Sequence, residues 1–146
     1  MVKKPKIVFF ITEDWYFVSH RLPIAIESIK KGFDVYLVTK KTGSKSKIIE
    51  AHGIKVININ ISRGEISPIS DLKVLIKLIL ILKKIRPEIL HAVAMKPILY
   101  GNIASVILRI PHCISSFAGL GYVFISKSIK AKFVGYVLKR FFRLFL

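Results

Sequence analysis

Apolar residues in this chain come in short unbroken runs, separated by stretches of helical spacing and by glycine or proline. The first run, Lys6 to Thr12, is dominated by Ile, Val and Phe. Such a run, rich in β-branched and aromatic residues, predicts a strand buried on both faces. A polar and aromatic loop is expected from Glu13 to Ser19. A helix then begins between Ser19 and Pro23, with Leu22, Ile26 and Ile29 at helical spacing and Gly32 as the residue past its end. A second strand is expected at Val35–Thr39. The loop 40–46 follows, then a short helix Lys47–His52, Gly53, and a third strand Lys55–Ile59.

A polar loop spans Ser62 to Ile66. Ser67 and Pro68 then suit the N-cap and first turn of a long helix reaching about Arg86. Its core stripe is expected to be Leu72, Leu75, Ile76, Ile79 and Leu82, with Lys73, Lys77 and Lys84 in a narrow arc on another face. Those lysines fit a solvated face or a binding surface. Pro87 ends the helix, and Glu88–Val93 is a fourth strand. A short loop, Ala94 to Lys96, leads to a helix Pro97–Arg109. Gly101 inside that helix costs about 1 kcal/mol against alanine, tolerable where the helix packs closely on a sheet or ligand. After Pro111 a fifth strand, His112–Phe117, leads to the loop Ala118–Phe124. The segment Ser128–Leu146 predicts a helix with Phe133, Val134, Val137, Leu138, Phe141, Leu144 and Phe145 on one side. Lys132, Lys139, Arg140 and Arg143 lie on the other.

Two copies of "helix, glycine, apolar, polar, valine", at Gly32–Val35 and Gly53–Val56, mark helices that turn directly into strands. The alternation is that of an α/β protein with a doubly wound, Rossmann-like parallel sheet. In such sheets the ligand crevice lies beyond the carboxyl ends of the strands. The loop Glu13 to Arg21 is expected there.

Composition sharpens this picture. The chain has 146 residues, one domain by length, and is 53% hydrophobic. Lys and Arg total 25 against 8 Asp and Glu, a formal charge of +17. Nucleic acid, an anionic membrane surface and a Lys/Ile-rich compositional bias each account for such an excess. The basic residues are spread along the whole chain, which argues against nucleic acid. The single cysteine, Cys113, excludes an internal disulfide framework and sits in an apolar run. No signal peptide is apparent, and no run approaches the roughly 18 apolar residues of a membrane span. A cytoplasmic setting is expected, peripheral on the inner face of the membrane if the last helix and the lysine-rich third helix lie on anionic lipid.

Several phrases fall in order after the expected strands: Thr12-Glu13-Asp14-Trp15-Tyr16-Phe17, Ser19-His20-Arg21-Leu22-Pro23, Lys96-Pro97-Ile98-Leu99-Tyr100-Gly101 and Ala118-Gly119-Leu120-Gly121-Tyr122-Val123-Phe124. Together they resemble the amino-terminal half of a family 4 retaining glycosyltransferase of GT-B fold. The subgroup is the one that builds bacterial capsule, O-antigen and related surface polysaccharides. The resemblance covers essentially the whole chain. It implies two Rossmann-like domains with the active site between them. The amino-terminal domain mainly receives the acceptor, often a polyprenyl-diphosphate-linked sugar at the inner membrane face. The carboxyl-terminal domain binds most of the sugar nucleotide. Neither metal nor cofactor is implied, the sugar nucleotide being the donor substrate.

Against that pattern, residues 1–146 are expected to form a truncated amino-terminal domain without the paired-glutamate motif and donor site. The chain is then expected to be either a non-catalytic remnant of a truncated gene or one subunit of a split enzyme, whose partner subunit carries the carboxyl-terminal half that transfer requires. Many family members place His-x-His near the end of the fourth strand, where one histidine contacts the transferred sugar. Here the run is His91-Ala92-Val93, so the resemblance implies that role for His91 alone; a lone histidine at a strand end also fits a structural role.

The remaining candidates follow from chemistry. His20 and Arg21, at a helix start, suit contact with phosphate; capping is the simpler role. Glu13 and Asp14 suit acceptor hydroxyls. Trp15, Tyr16 and Phe17 make either a sugar-stacking platform or a hydrophobic plug. Lys96, before Pro97, suits phosphate. Gly119, Gly121 and Tyr122 form a loop that admits a ligand close to the backbone, although Gly-x-Gly without a third glycine is not the dinucleotide fingerprint. Two other readings stand beside the transferase: a non-catalytic basic module docking on membrane or nucleic acid, and another GT-B enzyme such as a sugar-nucleotide 2-epimerase.

Overall fold

The computed structural model describes residues 4–63, 67–117 and 140. Five parallel strands form one sheet in the order β3-β2-β1-β4-β5: β1 is Lys6–Glu13, β2 Asp34–Lys40, β3 Lys55–Asn58, β4 Ile89–Val93 and β5 His112–Ser116. The helices are α1 (Asp14–His20), α2 (Leu22–Lys30), α3 (Lys45–Ala51), α4 (Pro68–Ile85) and α5 (Met95–Leu108). The strand order reverses between β1 and β4, which places the crevice of an open α/β sheet beyond their carboxyl ends.

β1 divides the core. Val8 and Phe10 point to one side, where Val74, Leu78, Leu82 and Ile85 of α4 and Tyr100 and Ala104 of α5 cover them. Ile7, Phe9 and Ile11 point to the other, under Phe17 of α1, Ala25 of α2 and Ile49 of α3. A strand apolar on both faces thus receives helices on both faces. The glycines expected past helix ends, Gly32 and Gly53, have φ of 89° and 81°, the left-handed conformation that lets each helix stop and the strand begin.

Two expectations change. The stretch Glu13 to Ser19 is not a loop: Glu13 ends β1 and Asp14–His20 is helical. Asp14 in the first turn suits a helix N-terminus, and Phe17, three residues on, buries against Phe9 with ring centroids 5.5 Å apart. The stripe on α4 is also displaced. Its buried row is Val74, Leu78, Leu82 and Ile85, with Leu75 and Ile79 partly covered, whereas Leu72 and Ile76 face outward. α4 is apolar around most of its circumference, so periodicity alone did not select the face. The helix expected from Ser128 to Leu146 lies outside the described residues except for Arg140, which is helical and exposed.

Gly101 accounts for the close seat of α5. A Cβ built there would stand 3.1 Å from Ala92 Cβ and 3.5 Å from Leu90 Cδ2, both on β4. Replacement Gly101→Val drives branched carbons into the sheet and is expected to destabilise the domain by about 1–3 kcal/mol in urea denaturation. A variant as stable as the wild type would show that α5 can lift off β4 without cost.

Candidate functional site

The site is built on the carboxyl ends of β1, β4 and β5. β1 delivers the chain into α1, whose seven residues divide by face. Phe17 is buried, while Trp15 is 41% exposed and Tyr16 half-buried. Phe17 is therefore the plug, and Trp15 and Tyr16 are left toward the outside. The outward aromatics form an ordered group. Trp15 Nε1–H donates to Glu13 Oε2, the Trp15 and Tyr16 rings meet edge-on at 5.9 Å, and Tyr16 and His20 stack at 4.3 Å within 8° of parallel. Ser19 Oγ and His20 Nδ1 share a hydrogen bond of 2.6 Å.

Asp14 points the other way. Its carboxylate is wholly buried and accepts from the Thr42 backbone N–H at 2.9 Å, from the Thr42 hydroxyl, and from Ser46 Oγ at 3.1 Å. Burial pushes this carboxyl up, but the bonds from Thr42, Ser46 and the Trp15 backbone outweigh it, and its pKa lies below the ordinary value. Asp14, expected to meet acceptor hydroxyls, instead ties the end of β1 to the β2–α3 loop.

Arg21 joins α1 to α2: its N–H caps Phe17 O at 2.8 Å and its carbonyl accepts from Ala25 N at 3.0 Å. Its Nε is buried without a hydrogen-bond partner among the described residues. Its charge acts on His91, which lies under Phe9 with ring centroids 5.2 Å apart. His91 Nε2 shares a 2.7 Å hydrogen bond with Ser116 Oγ at the end of β5. Burial, with Arg21 adding to it, pushes the His91 imidazole down to about 4. It is therefore a neutral imidazole near pH 7, able to accept or donate one proton but carrying no charge.

After β4 the backbone is strained. Ala94 has φ 78° and ψ 165°, a region otherwise populated by glycine. The conformation is held by Ala94 N–H to Ser116 O at 3.1 Å and by Ile98 N–H to Ala94 O at 2.9 Å. Lys96, expected to meet phosphate, makes an ion pair with Asp71 at 2.8 Å, linking the first turns of α5 and α4. Tyr100 also hydrogen-bonds Asp71; burial and this carboxylate raise the phenol. Among the described residues no group of three metal-ligating His, Cys, Asp or Glu side chains gathers.

The structure thus brings Trp15, Tyr16, His20, Arg21 and His91 to one edge, turns Asp14 inward and pairs Lys96. Gly119, Gly121 and Tyr122 lie outside the described residues. Sequence reasoning missed Ser116 as the partner of His91, Asn102 Nδ2 donating to Ser115 Oγ at 2.9 Å, and the strain at Ala94. Two serines closing an apolar strand were a readable signal; an alanine with positive φ leaves none.

Residues 6–146 match the family described as glycosyl transferase 4-like. The chain belongs to that family. It is 27% identical over 124 residues to the N,N'-diacetylbacillosaminyl-diphospho-undecaprenol alpha-1,3-N-acetylgalactosaminyltransferase of Campylobacter jejuni, covering 85% of this chain and 33% of that protein. A glycosyltransferase from Rickettsia africae superposes with a TM-score of 0.64 at 16% identity, over 87% of this chain and 34% of that one. Acinetobacter baumannii MurG gives 0.61 at 18%, over 76% and 35%. This family 4-like domain has the Rossmann-like architecture of one half of a GT-B glycosyltransferase, and it spans about a third of the length of these relatives.

Two outcomes follow from the buried ionisable groups. The contribution of Asp14 to stability is full above the ordinary carboxylate value near 4 and is lost as pH falls through its lower folded value. Asp14→Asn should cost about 1–3 kcal/mol at neutral pH and flatten that acid limb in pH-dependent urea melts. His91, with a folded value of about 4, stabilises fully above about 6.5 and progressively less as pH drops toward 4. Its ring resonances in NMR should titrate near 4; titration near 6.5 would contradict the buried, neutral imidazole.

Proposed function

We propose that the domain is the acceptor-side half of a glycosyltransferase that moves a sugar from a sugar nucleotide to a lipid-linked saccharide in the synthesis of a surface polysaccharide. The observation that carries the reading is the convergence of Arg21, with its unpartnered buried Nε, and neutral His91 at the switch point of a family 4-like sheet. Arg21 is suited to the acceptor diphosphate, since a guanidinium presents paired donors to phosphate oxygens. His91 is suited to a sugar hydroxyl, because a neutral imidazole held by Ser116 can exchange a hydrogen bond without bringing charge. Trp15, edge-on to Tyr16 and steadied by Glu13, offers the apolar face that sugar rings prefer. His20 and Lys96 border the same edge, and Gly119, Gly121 and Tyr122 complete the family phrase in sequence.

The name of the Campylobacter relative describes a diphospho-undecaprenol-linked saccharide, which supports a polyprenyl-diphosphate acceptor here. The donor diphosphate would be held by a second Rossmann-like half, in the same polypeptide or in a partner subunit. The domain would work in the cytoplasm, at the inner face of the membrane, where such acceptors are presented.

Trp15 is the only tryptophan in the chain, so its fluorescence reports on this edge directly. Titration with a short-chain prenyl-diphosphate-linked N-acetylhexosamine should change the emission and saturate. Arg21→Ala should weaken binding roughly tenfold or more, the loss of a charge-assisted hydrogen bond. An unchanged emission throughout the titration, or equal affinity in Arg21→Ala, would sink the acceptor assignment.

A further inference from the structure

α2 and α3 leave their helices through Gly32 and Gly53, but α4 and α5 end on arginines. Arg86 (φ 53°, ψ 64°) and Arg109 (φ 52°, ψ 49°) both hold the left-handed conformation, at a conformational cost that glycine avoids. Both line one cavity of about 360 Å³ at the amino ends of β4 and β5. Lys83 also lines it, and Glu88 is its one carboxylate among the described residues. Leu82, Leu108 and Ile110 give it an apolar wall. The cationic side chains are not needed to close the helix ends. Leu82 O accepts from Arg86 N–H at 2.8 Å, Ser105 O from Ile110 N–H at 3.0 Å and Val106 O from Arg109 N–H at 3.3 Å. Ile85 O accepts from the Lys6 ammonium at 2.9 Å. Lys83, Arg86 and Arg109 are exposed, and none is in an ion pair among the described residues. Glu88 is half-buried; its Oε2 accepts from the Lys6 backbone N–H at 2.6 Å, and its other oxygen is left for a further donor.

We propose that this cleft is a non-catalytic binding site for a nucleoside phosphate. Guanidinium groups present paired donors to phosphate oxygens, and the Lys83 ammonium adds a point charge. The carbonyl ends of α4 and α5 together contribute roughly one negative charge, so three cations against one carboxylate still leave the cleft positive. The remaining Glu88 oxygen accepts from a sugar hydroxyl, and the apolar wall takes the flat face of a base. The volume lies within the roughly 300–1,000 Å³ of small-molecule sites. An inorganic phosphate alone would leave the apolar wall uncovered. Glu88 precedes β4 and Val93 ends it, so about 16 Å of strand separates this cleft from the edge that carries His91 and Arg21. The inference goes beyond the acceptor reading and uses none of its residues.

The test is isothermal titration calorimetry of the full chain with uridine 5′-diphosphate, and with uridine and inorganic phosphate as separate ligands. The diphosphate should bind, should weaken with salt, and should bind roughly tenfold or more tightly than either fragment. Arg86→Gly and Arg109→Gly should each weaken it roughly tenfold, the loss of a charge-assisted hydrogen bond. Glycine suits the left-handed backbone at both positions, so both variants should melt at or above the wild-type temperature. Weaker binding in them then reports the guanidinium and not the fold. Absence of binding at low ionic strength would overturn the proposal, as would wild-type affinity in either glycine variant. Inorganic phosphate binding as tightly as the nucleotide would overturn it by reducing the cleft to a simple anion site. A glycine variant that melts earlier would overturn it by assigning the guanidinium to the helix end. Trp15 emission should stay constant as the nucleotide saturates; a change would place the nucleotide at the site edge and overturn the cleft. The prenyl-diphosphate titration reads Trp15 and Arg21 instead, so the two proposals fail independently.

Discussion

Everything in this domain depends on β1 being hydrogen-bonded on both edges and covered on both faces. Ile7 to Phe10 pair with β2 on one side, Ile7 to Ile11 pair with β4 on the other, and all five side chains are buried. A strand so enclosed has no room for polar chemistry along its length. Polar groups must wait until the chain leaves the sheet, and the order reversal at β1 and β4 decides where it leaves. Arg21, at the α1–α2 junction that follows β1, and His91, within the neighbouring β4, meet for this reason. Their meeting is a consequence of the sheet order more than of any local motif.

The edge is held rigid by interactions that do not touch a ligand. Asp14 fastens the start of α1 to Thr42 and Ser46, and Asp71 holds the first two turns of α5 through Lys96 and Tyr100. The strain at Ala94 persists because Ser116 and Ile98 bond its backbone on both sides. Two carboxylates that composition made conspicuous in a basic chain are thus spent on positioning, leaving the outward surface to aromatics and cations. Such a division suits a site that must present stacking faces and positive charge at fixed places.

The strands and most helix boundaries were legible because glycine and proline punctuate them: Gly32, Gly53, Pro68, Pro87 and Pro111 each fall where backbone geometry demands a stop or start. The family phrases fall at the carboxyl ends of the strands, but they do not tell which way each side chain points. Glu13 and Asp14 look alike in sequence, yet one meets Trp15 outside and the other is wholly enclosed, a difference set by where β1 ends. α1 was hidden because aromatic residues are indifferent helix formers, and Phe17 gains its reason to be helical only from contact with Phe9. Ser116 became the partner of His91 through the β4–β5 register, a relation between residues distant in sequence.

α4 shows the same limit more sharply. Leu72 and Ile76 were expected inside because they are as apolar as Val74 and Leu78, and the helix period admits either row. Lysine placement breaks the tie: a row bordered by Lys73, Lys77 and Lys84 could not turn to the sheet without taking those charges out of water, at a cost far above the gain from two aliphatic side chains. The row that remains outside is kept apolar nonetheless, although polar residues there would serve solubility and helix formation equally well. α4 begins at the site edge, where Asp71 of its first turn holds Lys96 of α5. α4 and α1 nevertheless cover opposite faces of the sheet, so they share its carboxyl edge and not a common outer surface.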